Sequence, residues 1–256
     1  MKKIKYLLVF SLGFIISASY GMKRVYPQYN NAPKEMYDAK VQTYFVPDDR
    51  KVMKDDLFAL LDGATKSIYV AMYWITDNSL LDRLIAAKKR NVEVEIYIDA
   101  SSPNITESLE KLLKNDIVPI VFPSRKNGSG ILHDKFFMID FETVFTGSAN
   151  FTRSAFDHNA DVFNFENMVR IDSFEVASQY LKAFVSRQVG MFDIYVDMIV
   201  QSGLEQAPVW LNKLLPILFK KEGRLVRAFN IRMNQYTPDD IQWKRLSEFI
   251  NKTTQG

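Results

Sequence analysis

His133 and Lys135, two positions apart, carry the chemistry that distinguishes this 256-residue chain. They fall in the run Ile131-Leu132-His133-Asp134-Lys135-Phe136-Phe137-Met138-Ile139-Asp140, whose aromatic and branched residues predict a strand over 131–139. Residues two apart in a strand share a face, so His133 and Lys135 project together while Leu132, Asp134 and Phe136 point the other way. An imidazole beside an ammonium group is a costly pairing if it serves stability alone, and it becomes useful when an anion sits between the two. Lys135 then neutralises a phosphate oxygen while His133 attacks or protonates. Beyond Asp140 comes Gly147-Ser148-Ala149-Asn150, leading into Phe151-Thr152. Gly147 permits close backbone approach, Ser148 and Asn150 supply hydrogen-bond donors, and the turn opens a short helix whose first N–H groups favour an oxyanion.

The surrounding periodicity supplies a frame for these residues. Strands are predicted over 41–46, 67–73, 92–98, 117–122, 143–146 and 167–171, and helices over 55–64, 78–89, 108–114 and 173–187, with a short one near 151–156. The helix after Thr76-Asp77-Asn78 has a capping sequence, and its Leu80, Leu81, Leu84 and Ile85 share a face. Strands alternating with helices at these lengths predict an α/β fold, a mixed and largely parallel sheet flanked by helices. Residues 189–256 differ in character, with apolar helical stretches at 191–200 and 209–219, a strand over 224–231 and a helix after Thr237-Pro238-Asp239-Asp240. They predict a mainly helical C-terminal extension to a catalytic domain over 41–188.

The N-terminus combines Lys2, Lys3 and Lys5 with an apolar stretch over 6–18 and then Ser-Ala-Ser-Tyr-Gly. This is the pattern of a secretory signal peptide over 1–21, and the stretch is short for a membrane span. Export to the periplasm or beyond is expected, with an uncleaved N-terminal membrane anchor as the alternative; residues 22–40 read as a linker. The whole formal charge of +3 sits in those three lysines, and residues 22–256 carry 30 basic and 30 acidic residues. A generic polyanion binder is therefore excluded, and attraction to phosphate must be local. The chain has no cysteine and two histidines, His133 and His158, which excludes disulfides, thiol catalysis and Cys-based zinc sites and argues against a multi-histidine metal centre.

Taken together, His133, Lys135, Asp140, Gly147, Ser148 and Asn150 form H-x-K-x4-D-x6-G-S-x-N, which resembles the signature of the phospholipase D superfamily at every specified position. Further likeness lies in residues 66–73 and 81–99, and Asn164-Phe165-Glu166-Asn167 is similar to the family's N-x-E-N segment. The resemblance covers residues 41–187. It implies that His133 is the nucleophile of a phosphohistidine intermediate, that Lys135 and Asn150 hold the nonbridging phosphate oxygens with Ser148 in support, and that Glu166 accepts a hydrogen bond from His133 Nδ1. Asp140 belongs to the motif either as a catalytic residue or as a brace for the strand. No metal or other cofactor is implied.

Transfer through phosphohistidine needs a second group to protonate the leaving oxygen, which in the family is the histidine of a second H-x-K motif. His158 is followed by Asn159-Ala160 and does not supply one. The resemblance to single-motif members, the small bacterial nuclease and the mitochondrial cardiolipin hydrolase group, implies a symmetric homodimer with one His133 from each chain facing a shared phosphate. The substrate stays open between nucleic acid and phospholipid: size and single-motif architecture lean toward a nuclease acting on DNA or RNA, which Arg125 and Lys126 could contact, and the alternative is a phospholipase, with the apolar segment 209–221 touching a membrane surface. For that segment, packing on the core or on the dimer partner is the alternative. A non-catalytic binding module keeping the same fold is the reading from a different class, and the intact His133, Lys135 and Asn150 set argues against it.

Overall fold

The computed structural model describes residues 38–124 and 130–188, positions 191, 194, 195, 198 and 199, and residues 206–221. The expected signal segment, the linker as far as residue 37, Arg125 and Lys126, and the strand and helix expected beyond 221 lie outside the described residues.

Seven strands form one sheet: β1 (Lys40–Val46), β2 (Ser67–Met72), β3 (Glu93–Asp99), β4 (Ile120–Phe122), β5 (Lys135–Ile139), β6 (Thr143–Gly147) and β7 (Glu166–Asp172), in the order β1-β7-β6-β5-β2-β3-β4. Helices α1 (Arg50–Gly63), α2 (Asn78–Lys89), α3 (Ile105–Leu113), α4 (Arg153–Phe156), α5 (Phe174–Gln188) and α6 (Val209–Lys221) flank it. The sheet is mixed and flanked by helices, as expected, but its balance differs from the largely parallel expectation. Only β2–β3 and β3–β4 pair in parallel, and the other four junctions are antiparallel. Connection length accounts for the parallel pairs and for one of the antiparallel ones. Helices α2 and α3 provide crossovers between β2, β3 and β4, whereas Asp140–Glu142 is too short for anything except a hairpin between β5 and β6.

The alternation of each central strand builds two cores. Ile68, Val70 and Met72 of β2 and Phe137 and Ile139 of β5 face α1, α2 and α4, joining Leu57, Leu61, Leu81, Leu84 and Phe156. Tyr69, Ala71, Phe136 and Met138 face the opposite layer, with Phe184 of α5 and Leu211, Leu214 and Leu215 of α6. All six residues of β2 are buried, as suits a strand covered on both faces. Helix α2 begins as its sequence requires, with Asp77 accepting from Ser79 N at 2.8 Å, and it ends on Lys88 and Lys89, which favour the negative end of the helix dipole.

Among the boundaries that differ from expectation, three have a visible cause. Helix α1 starts at Arg50, five residues before 55, because Asp49 O already accepts from Met53 N at 2.8 Å. Strand β4 begins at Ile120, not 117, because Ile117 N is used by Leu112 O to close α3. Strand β5 begins at Lys135, not 131, so His133 stands on an extended segment outside the ladder. Pairing with β2 ends at Met72 opposite Lys135.

The described part of the C-terminal extension packs on the sheet. Met191, Tyr195, Met198 and Ile199 share the second core, and the buried Tyr195 hydroxyl accepts from Val121 N at 2.8 Å and donates to Val121 O at 2.7 Å. Helix α6 packs the same way. Its Trp210, Leu211, Leu214 and Leu215 are buried and Lys213 pairs with Glu110 of α3, so this face of the helix packs on the core. No helix among the described residues is long and apolar enough to cross a membrane.

Candidate functional site

The site forms along one edge of the sheet, where β2, β3 and β6 end and β5 and β7 begin. For the parallel strands this is the carboxyl end, where α/β sheets leave a crevice for ligands. Lys135 opens β5 one step beyond the Phe136–Thr146 pair, and its carbonyl accepts from Thr146 Oγ1 at 3.0 Å. Gly147 closes β6 against β7. A Cβ there would stand 2.1 Å from Asn167 O and 2.8 Å from Met168 Cα, so only glycine lets the two backbones meet.

His133 and Lys135 project to the same side, as strand spacing predicts even though only one of them is in the ladder. The Tyr73 ring lies 5.0 Å from the His133 ring and 5.2 Å from Lys135 Nζ. His133 is exposed while Lys135 is buried. Lys135 Nζ donates to His133 O at 2.9 Å and forms no ion pair among the described residues. Burial lowers the Lys135 pKa from the ordinary lysine value, and the carboxylates of Asp134 and Glu166 partly oppose that effect. A desolvated ammonium with donors to spare, beside an exposed imidazole, is an arrangement chemically suited to receiving an anion.

Asn150 and Ser148 join them from the β6 exit. Asn150 Oδ1 accepts from Trp74 N at 3.3 Å, which directs the two Nδ2 hydrogens elsewhere. Ser148 Oγ donates to Glu166 and accepts from Asn167 N at 3.0 Å, so its proton is committed to the carboxylate. Glu166 also accepts from Asn164 Nδ2 at 3.3 Å. Among the described residues its partners are therefore Ser148 and Asn164, and the bond from His133 Nδ1 that the resemblance implied is not formed in the single chain.

Asp140 is not brought to the site. It sits at the opposite end of β5, about 16 Å from Lys135 at strand rise. Its carboxylate accepts from Thr65 N at 2.9 Å, Lys66 N at 2.7 Å and Ser67 N at 2.9 Å, tying the β5–β6 turn to the head of β2. Burial pushes its pKa up, but these backbone donors together outweigh burial and hold it below the usual carboxylate value. Of its two expected roles, it occupies the place of the brace. His158 lies elsewhere, on a cavity of about 500 Å³ between α1, the head of α2 and α4. No group of three His, Asp or Glu side chains among the described residues is arranged to hold a metal ion.

Two contributors close the segments of family likeness at 66–73 and 81–99 but were given no role from the sequence. Tyr73, stacked on Trp74 with centroids 5.1 Å apart, supports the His133 ring; the only signal was an aromatic pair at the end of a buried strand. Asp99, fully buried at the end of β3, was visible as an acidic residue closing the apolar run Val94–Ile98.

Comparison with known proteins agrees with this geometry. Residues 57–188 match the family model described as cardiolipin synthase, PLD-like domain. The chain is 35% identical over 152 residues to a phospholipase D of Rickettsia bellii, covering 59% of this chain and 70% of that one. It is 31% identical over 198 residues to a phospholipase D of Rickettsia felis, covering 70% and 93%. Among solved structures it is similar to a phospholipase D family member, Nuc from Salmonella typhimurium, at 28% identity and a TM-score of 0.50, covering 59% of this chain and 94% of that one. The chain belongs to the phospholipase D superfamily, and its reaction class is that of a phosphodiesterase.

Proposed function

We propose that the protein cleaves phosphodiesters in two steps through a phosphohistidine on His133, without a metal ion, at a site completed by a second copy of the chain. His133 Nε2 attacks phosphorus, forming an N–P bond as the P–O bond to the leaving group breaks. The leaving oxygen takes a proton from the imidazole of the second copy. That imidazole then removes a proton from water, whose oxygen displaces His133. Lys135 and the Asn150 amide hold the charge that builds on the nonbridging oxygens.

The observation that carries this reading is the buried Lys135 ammonium, without a carboxylate partner among the described residues, beside an exposed His133 on the same face. The second copy follows from counting imidazoles. The chain has two, and His158 stands on a cavity whose lining includes none of His133, Lys135 and Asn150, which favours an acid supplied from outside the chain. Two-fold pairing supplies an identical group across the axis. Export past the inner membrane, from the N-terminal pattern, is part of the same proposal.

For the substrate, the rim favours a phospholipid over nucleic acid. The loop that leads into Glu166 exposes Val162 at 73% and Phe165 at 85%, with Phe163 packed edge-on against Phe165. Apolar groups beside a phosphate site suit an acyl-bearing diester, and relatives named phospholipase D point the same way. The test incubates purified protein in EDTA with cardiolipin vesicles, phosphatidylcholine vesicles, single- and double-stranded DNA, and RNA. Phospholipid turnover that survives EDTA and falls at least about 10³-fold in His133→Asn is expected. Turnover of nucleic acid alone contradicts the substrate, loss in EDTA contradicts metal independence, and an active His133→Asn contradicts the nucleophile.

A further inference from the structure

We infer that Asp99 is a positioning residue for His133, holding the imidazole both through its backbone and through the ring beneath it. The inference rests on the proposed role of His133 and adds a residue outside the motif.

Asp99 ends β3, two strands away from β5, and is fully buried. A buried carboxylate is tolerated where hydrogen bonds satisfy its oxygens, and among the described residues its donors are Leu132, Ser101 and Ser124. Oδ2 accepts from Leu132 N at 2.9 Å, the residue immediately before His133. Oδ1 accepts from Ser101 N at 2.9 Å and Ser101 Oγ at 2.7 Å, and from Ser124 Oγ at the exit of β4. Ser101 Oγ in turn accepts from Trp74 Nε1 at 3.3 Å, and Trp74 stacks on Tyr73, whose ring meets His133. One carboxylate thus governs the backbone before the imidazole and the aromatic pair against it.

This matters because His133 has no ladder to fix it. Residues 131–134 lie outside β5, and the side after His133 is held by its own contacts: Tyr73 N donates to Asp134 O at 3.1 Å, and Arg187 of α5 grips the Asp134 carboxylate at 2.5 and 3.0 Å. The side before it depends on Asp99. A nucleophile misplaced by about 1 Å can lose on the order of 10²-fold in rate.

The test compares Asp99→Asn with Ser124→Ala, which removes one bond to the same carboxylate without touching Leu132 or the Trp74 link. Asp99→Asn keeps the shape but turns an NH₂ group toward donors. It is expected to lower kcat about 10- to 100-fold, with KM within about twofold, and Ser124→Ala to keep kcat within about threefold, at temperatures well below either thermal midpoint. The Leu132 amide of the unaltered protein, followed by hydrogen exchange, is expected to be protected at least about 10²-fold over an unstructured chain. An unchanged kcat in Asp99→Asn, equal losses in both variants, or an unprotected Leu132 amide overturns the inference. If Asp99→Asn does not fold, the amide exchange decides alone. An active His133→Asn would remove the nucleophile reading while leaving the Leu132 result to stand by itself.

Discussion

Lys135 pays for its burial with a lowered pKa, and that has a consequence for the reaction. A desolvated ammonium attracts a phosphate more strongly than one in water, but rising pH strips its proton earlier than from an exposed lysine. The rate is expected to fall on the alkaline side below the ordinary lysine range, as a pH–kcat profile would show, and Lys135→Met should lose about 10²–10³-fold in kcat with the fold intact. Asp140 predicts the opposite division. Its carboxyl is held low in the folded state, so its contribution to stability is present above the unfolded carboxylate value and is lost as pH falls through the folded one. Asp140→Asn should lower stability by about 1–2 kcal/mol at neutral pH, a few degrees in a thermal melt, flatten the acid side of the stability curve, and leave kcat within about twofold. At this scale much was legible, because spacing alone put His133 and Lys135 on one face. What spacing could not reveal was that Ser148 spends its proton on Glu166, since both lie in loops or at strand ends where period gives no direction.

Among the elements, the β6–β7 junction is the least forgiving. A methyl group on residue 147 would meet backbone atoms of β7 at 2.1 and 2.8 Å, and backbone cannot yield as a flexible side chain can. Gly147→Ala should therefore cost about 3 kcal/mol or more and remove Ser148 and Asn150 from register, with loss of activity at temperatures where the variant is still folded; a stable, active Gly147→Ala would contradict the pairing. Helix α2 and strand β2 were legible because capping and continuous apolar content agree with their tertiary setting. Residues 131–134 and 117–119 were not, although both are rich in strand-forming residues. At Leu132 the N–H goes to the Asp99 side chain, and at Ile117 it goes to the end of α3, so the ladder never reaches them. Strand propensity describes what a residue fits, and the available hydrogen-bond partner decides whether a strand forms.

For the whole molecule, the order of strands and helices was readable from alternating period, but strand direction was not, because four of the six junctions are antiparallel and only the β5–β6 hairpin follows from a short connection. The C-terminal segment read as an extension because its composition changes, and its described residues cover the sheet's second face: Tyr195 caps β4 and α6 fills the layer beside α3. An apolar helix reads alike whether it meets a membrane or a core. The central claim lies beyond one chain, in two imidazoles sharing one phosphate. It is tested most directly by a heterodimer purified through two different tags, with one copy unaltered and the other carrying His133→Asn. The account predicts turnover near that of the doubly substituted dimer, at most a few per cent (about 10⁻² of the unaltered rate), because neither remaining group can act as both nucleophile and acid. Half the activity of the unaltered dimer would show that each chain works alone, and would contradict it.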